Sequence, residues 1–87
     1  MRAEQMTYAG VTADKWELGK QRLAAAGITV GGPVGEMVDK GFKVAWNWDE
    51  ANAKLTITLK DKPFYVPTSL IKSKVSAELA KESIFPA

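Results

Sequence analysis

The chain has 87 residues, contains neither cysteine nor histidine, and is 46% hydrophobic. This length and composition predict one small globular domain rather than a disordered chain. The missing residue types exclude disulfides, thiolate nucleophiles and the commonest transition-metal ligands, so we expect no enzyme activity, catalytic residue, metal site or cofactor. No apolar run approaches the ~20 residues that span a bilayer, and we expect a cytoplasmic protein without a membrane span.

Positive charge is concentrated in the middle of the chain. The net charge is +2, but residues 40–74 carry seven lysines against three acidic residues. The only arginines are Arg2 and Arg22, although bidentate recognition of phosphate or guanine favours arginine. The pattern therefore favours a solvated, lysine-fringed surface over a dedicated reader of nucleic-acid sequence.

The N-terminal part predicts an irregular arm followed by a helix. Residues 1–11 form the arm, and residues 12–85 form a single α+β domain. Thr12 is an acceptable N-cap and Gly27 is a typical helix stop, so we expect a helix over residues 12–26. Its narrow apolar side consists of Trp16, Leu23 and Ala26, with Gly19 between them to let the helix approach the sheet closely.

A glycine-rich segment follows this helix. Ile28, Thr29 and Val30 form a short strand-like piece, and three glycines and a proline follow within residues 31–35. A phosphate-binding P-loop requires lysine and then serine or threonine directly after its last glycine, but here Glu36 follows. The segment therefore predicts a turn or bulge.

The middle of the chain alternates between apolar and polar residues, which is typical of strands with one buried face. The alternation occupies residues 42–48 and 54–60, with a turn at residues 49–53. Together with a strand at residues 34–38, they predict a three-stranded antiparallel meander. The side chains predicted to point inward are Phe42, Val44, Trp46, Trp48, Leu55, Ile57 and Leu59.

Two prolines stiffen the connector over residues 61–67 and end the last strand. Thr68 or Ser69 is expected to cap a second helix that reaches about Ser83. Residues 84–87 then contribute two apolar side chains that either dock on the domain or fray. The apolar seam of the second helix consists of Ile71, Val75 and Leu79.

These elements predict an α+β fold in the order α-β-β-β-α, in which both helices pack on one face of the sheet. The other face would display lysines and threonines, whereas the aromatic residues lie on the buried face. Sheets that bind single-stranded nucleic acid display positive charge and aromatic rings together, so nucleic-acid binding is disfavoured.

The open edges and open face of such a sheet predict a homodimer. Mutual repulsion of the lysines favours pairing through an edge over stacking of the faces. The favoured function is a noncatalytic interaction or adaptor module that self-associates and docks an unknown protein partner. The candidate partner-binding residues are Lys43, Lys54, Thr56, Thr58, Lys60 and, on the first helix, Leu18.

Two alternatives remain. The first is a small carrier or sensor of an apolar ligand, because Trp46 and Trp48 either belong to the core or line a pocket. Phe64 and Tyr65, held between two prolines, would form its rim or lid, although the sequence favours a packed connector in which the Tyr65 hydroxyl reaches water. The second is nonspecific nucleic-acid binding through the lysine face, which would be sensitive to salt.

Overall fold

The computed structural model describes residues 4–86, which form a five-stranded antiparallel sheet with two helices. Both helices have 13 residues, and no helix in the described range is long and apolar enough to cross a bilayer. The strand order is β2-β3-β4-β1-β5. The elements are β1 (Glu4–Ala9), α1 (Ala13–Ala25), β2 (Val34–Asp39), β3 (Phe42–Asp49), β4 (Lys54–Asp61), α2 (Thr68–Ala80) and β5 (Phe85–Pro86).

The predicted meander is present as β2, β3 and β4, but it forms only part of a larger sheet. A two-residue turn connects β2 to β3, and Lys40 and Gly41 both have positive φ there, at 52° and 86°. This conformation matches the right-handed twist of a tight hairpin. The inward side chains of β3 and β4 are buried or half-buried as the alternation predicts.

The prediction of an irregular N-terminal arm is wrong for residues 4–9, which form β1 between β4 and β5. Met6 lies opposite Ile57 and Tyr8 lies opposite Leu55, and both β1 side chains enter the core. The Tyr8 hydroxyl lies 2.9 Å from Ser76 Oγ, and burial raises the pKa of this phenol above its ordinary value. Residues 1–3 of the predicted arm lie outside the described residues.

Both helices end in the same hydrogen-bonding arrangement, the Schellman motif. After α1, Gly27 has a φ of 90° and Ile28 N donates to Leu23 O at 2.8 Å. After α2, Ser83 has a φ of 58° and Ile84 N donates to the carbonyl of Leu79 at 3.1 Å. The isoleucine after each motif is buried, so Ile84 docks on the core rather than fraying.

Several local predictions need correction. Residues 28–30 form no strand, because Ile28 instead completes the end of α1. The second helix begins after Pro67, which occupies the N-cap position, and it ends at Ala80 rather than near Ser83.

Gly19 permits close packing, but against the second helix rather than the sheet. A Cβ atom at this position would lie 3.2 Å from Ile84 Cδ1 and 3.6 Å from Leu79 Cδ2. The missing side chain therefore brings α1 close to the end of α2. This contact was not predictable from α1 alone, because Ile84 lies in a segment whose docking the sequence left open.

Gly35 of β2 lies opposite Trp46 of β3, and the indole covers the glycine. A Cβ atom at Gly35 would lie 2.7 Å from Trp46 Cζ2. The buried indole has little freedom to move away, because its Nε1 donates to Gly32 O at 2.9 Å. Only glycine therefore fits beneath this ring without displacing it.

We expect Gly35→Ala to lower the free energy of unfolding by about 1–3 kcal/mol, because overpacking shifts the Trp46 ring. Gly31→Ala is the matched control, since a Cβ atom there meets nothing within 4 Å. Its expected effect is within about 0.5 kcal/mol. Urea unfolding followed by tryptophan fluorescence measures both variants, and equal stabilities would contradict the role of Gly35.

Candidate functional site

Trp46 and Trp48 are integrated into the structure through their rings and their polar atoms. Trp46 is only 6% exposed. Trp48 stacks on Trp16 of α1, with ring centroids 5.1 Å apart and planes inclined by 13°. Trp48 Nε1 donates to Val11 O at 2.8 Å, as Trp46 Nε1 donates to Gly32 O. Both indoles therefore pack and hydrogen-bond within the domain.

Phe64 and Tyr65 lie far from Trp48 along the β3–β4 hairpin. Trp48 pairs with Leu55 beside the β3–β4 turn, whereas Phe64 follows Asp61 at the opposite end of β4. The rings of Phe64 and Tyr65 contact each other edge to face, with centroids 5.7 Å apart. The structure therefore does not bring the four predicted ligand-binding residues together in one site.

An apolar cleft of about 260 Å³ opens instead between the end of α1, α2 and the β2–β3 turn. Its volume lies just below the range of roughly 300–1,000 Å³ that is usual for small-molecule sites. Three charged residues, Asp39, Lys40 and Lys74, also line the cleft. Its apolar walls are Ile28, Met37, Phe42, Val44, Ile71 and Val75.

Sequence reasoning missed this cleft because its walls come from four separate segments. Ile28 follows α1, Met37 and Phe42 flank a hairpin turn, and Ile71 belongs to α2. Phe42 and Ile71 belong to periodic apolar patterns, but Ile28 and Met37 do not. No local pattern indicates that their side chains leave a space between them.

The open face of the sheet carries the predicted lysines and threonines, but its charge is partly neutralised. Glu36 lies among these lysines, with Lys60 Nζ at 2.7 Å and Lys43 Nζ at 3.7 Å from its carboxylate oxygens. The hydrogen bond from Lys60 lowers the pKa of Glu36, and the charge of Lys43 adds to this effect. Two of the three lysines assigned to this face are therefore paired within the chain.

The other predicted contact residues lie in different environments. Thr56 and Thr58 are half-buried between their neighbours on the open face, and Lys54 is exposed opposite Asp49. Leu18 is 42% exposed on α1. Because α1 covers the other face of the sheet, Leu18 does not form a surface with these residues.

The outer edge of β2 is free of any strand within residues 4–86. Trp48 N donates to Pro33 O at 2.7 Å, so the backbone groups of Pro33 face β3. In an antiparallel pair, every second residue of a strand bonds to its neighbour and the residues between them face the other way. The backbone groups of Val34, Glu36 and Val38 consequently point away from β3. The sequence predicted open edges but did not show which residues would present them.

The described residues contain no group of three or more aspartates or glutamates that could hold a metal ion. Asp49, one of the acidic residues at the β3–β4 turn, forms hydrogen bonds with Asn52 at 3.3 Å and 2.7 Å. The side-chain hydrogen bond from Asn52 lowers the pKa of Asp49. Its carboxylate thus stabilises the turn.

We expect Glu36→Gln to raise nonspecific affinity for duplex DNA a few-fold at low salt, because the change releases Lys43 and Lys60 from their ion pairs. Glu17→Gln is the matched control, since it changes the net charge equally but frees only Lys20 on α1. Fluorescence anisotropy at increasing salt measures both. An equal gain for the two variants would show that the pairing at Glu36 does not control binding.

Comparisons with protein-family models, curated proteins and solved structures find no match to this chain. They therefore assign no family and transfer no functional residues. Three features remain as candidates for function: the free edge of β2, the apolar cleft and the exposed aromatic connector.

Proposed function

We propose that this protein is a noncatalytic interaction module that self-associates by pairing β2 of one copy with β2 of a second. The free edge of β2 is the observation that carries the proposal. Val34, Glu36 and Val38 present outward backbone donors and acceptors, which form a template for another strand. A chain of 87 residues also has a small core, so association adds buried surface that the monomer lacks.

The side chains along β2 support strand pairing. Val34 is 66% exposed and Val38 is 69% exposed, and the strand contains neither lysine nor proline, the residues that commonly protect an edge. Glu36 stands between the two valines, but its charge is held by lysines of the same copy. The edge is therefore apolar and lacks an unpaired charge at its centre.

Two-fold symmetry allows more than one register, and the register centred on Glu36 pairs all three residues whose backbone groups point outward. If the axis passes beside Glu36, Val34 lies opposite Val38 of the second copy and the two Glu36 residues face each other. The two valine pairs add apolar contacts on the open face. The positive charges of Lys43 and Lys60 offset repulsion between the two facing Glu36 carboxylates. These ion pairs therefore favour the dimer, and they also lower the net positive charge of the open face.

We expect Val38→Pro to convert the dimer to a monomer, because proline removes an outward N–H without breaking the β2–β3 ladder. Val38→Ser is the matched control, since it removes the apolar side chain but keeps the N–H. Gel filtration with light scattering should give twice 9.5 kDa for the unmodified chain and for Val38→Ser at sufficient concentration. Val38→Pro should give 9.5 kDa.

Two results would contradict this function. One is a mass of 9.5 kDa for the unmodified chain throughout the micromolar range. The other is a dimer that persists in Val38→Pro, which would place the interface elsewhere. Circular dichroism of the proline variant establishes that the fold is retained.

A second candidate function is a carrier or sensor of a small apolar ligand, and the cleft beside α2 supports it. Ile71 forms part of the cleft wall, whereas the neighbouring Leu70 does not line it and is 60% exposed. The two residues lie on the same turn of α2 and have similar size. Substitutions of Ile71 and Leu70 therefore distinguish a ligand bound within the cleft from one bound to the helix surface.

We expect Ile71→Ser to weaken binding of the fluorescent probe anilinonaphthalene sulfonate about tenfold, because it removes apolar contact from the cleft. Leu70→Ser should leave the affinity nearly unchanged. A fluorescence titration measures both. Absence of binding by the unmodified chain, or equal loss in the two variants, would count against a ligand site in the cleft.

A further inference from the structure

Among residues 4–86, the most exposed large apolar side chains lie in the segment Pro63–Pro67, here termed the aromatic connector. Phe64 is 95% exposed and Tyr65 is 75% exposed. Leu70, on the first turn of α2, is 60% exposed. Phenylalanine is among the residues most often buried, so two adjacent aromatic rings in water indicate a contact surface.

The aromatic connector is held in shape by short-range contacts. Val66 N donates to Pro63 O at 3.1 Å and closes a turn around the two aromatic residues. Pro63 packs against the β2–β3 turn, where a Cβ atom on Gly41 would lie 3.3 Å from Pro63 Cγ. Because Pro63 and Pro67 have no N–H, few free donors remain at the tip, which lowers the penalty for moving this backbone out of water.

The charges around the aromatic connector are predominantly positive. Lys62 precedes the aromatic residues, and Lys72 and Lys74 follow on the first turns of α2. No acidic residue occurs between Lys62 and Ala77. The acidic residue next to the connector is Asp61, whose carboxylate accepts the backbone N–H of Lys62 at 2.8 Å.

Lys40 adds to this positive region from the β2–β3 turn against which Pro63 packs. Asp39, next to it, is the acidic residue on that side. Lys40, Lys62, Lys72 and Lys74 outnumber the acidic residues at this end of the sheet, which are Asp39, Asp61 and, opposite Leu59, Glu4. None of these four lysines takes part in an ion pair with the acidic residues described here.

We propose that the aromatic connector binds an anionic lipid surface by inserting Phe64 and Tyr65 between the headgroups. Aromatic side chains partition to the membrane interface, and nearby lysines are attracted to acidic headgroups. A protein groove could also accept two aromatic rings. A lipid surface fits better because both rings are exposed in a region where lysines outnumber acidic residues, and a layer of anionic headgroups is attracted by net positive charge alone.

Sedimentation with vesicles tests this proposal on the full chain. Vesicles of phosphatidylcholine and phosphatidylserine in equal parts should bind the protein, and vesicles of phosphatidylcholine alone should bind it much more weakly. Phe64→Ser should weaken binding to the mixed vesicles about tenfold. Leu18→Ser, which removes an exposed leucine from α1, is the matched control and should bind normally.

A second variant reports insertion directly. Phe64→Trp places a fluorophore at the tip, and its emission should shift to shorter wavelength on the mixed vesicles while Leu18→Trp shows no shift. Higher salt should weaken binding, because it screens the lysines. The proposal is overturned if the mixed vesicles bind no protein, if Phe64→Ser and Leu18→Ser bind equally, or if binding is insensitive to salt.

Discussion

The two indoles of β3 form the contacts on which the rest of the domain depends. Trp48 stacks on Trp16 and so fixes α1 against the sheet, and its Nε1 holds the chain at Val11 just before that helix. Trp46 covers Gly35 and holds the segment before β2 through Gly32 O. One strand thus positions both a helix and the neighbouring edge strand, and both indole N–H groups are engaged within the domain.

The cleft and the aromatic connector both lie at the β2–β3 turn, at the opposite end of β3 from Trp48. The cleft opens beside the β2–β3 turn, and Pro63 packs the aromatic connector against the same turn. Lysines contribute differently to each surface. Those on the open sheet face include Lys43 and Lys60, which are paired with Glu36, whereas those around the connector extend along a stretch without acidic residues. The net charge of residues 40–74 does not show which lysines are paired with acidic residues and which are not.

Sequence periodicity predicted the meander because each strand there alternates over enough residues to show its buried face. Met6 and Tyr8 of β1 alternate in the same way, but the run is short, and its status as a strand depends on pairing with Ile57 and Leu55 about fifty residues later. Local patterns do not contain that pairing. The period-two pattern did place Trp46 and Trp48 on the buried face.

The aromatic connector and the cleft were less accessible to such reasoning. Phe64 and Tyr65 lie between prolines where neither helical nor strand periodicity applies, and the favoured prediction of a packed connector is wrong because both rings are exposed. The cleft depends on how Ile28, Met37 and Ile71 meet in space. In both cases the deciding contacts are tertiary.

The position of β1 between β4 and β5 also affects the sequence in which the strands join the sheet during folding. The neighbours of β1 come from the second half of the chain, whereas β2, β3 and β4 are joined by short turns. Nonlocal pairing carries a larger loop-closure entropy and slows folding. We infer that the meander forms first and that the N-terminal strand joins late, so until then the inner edge of β4 is open to strands from other molecules.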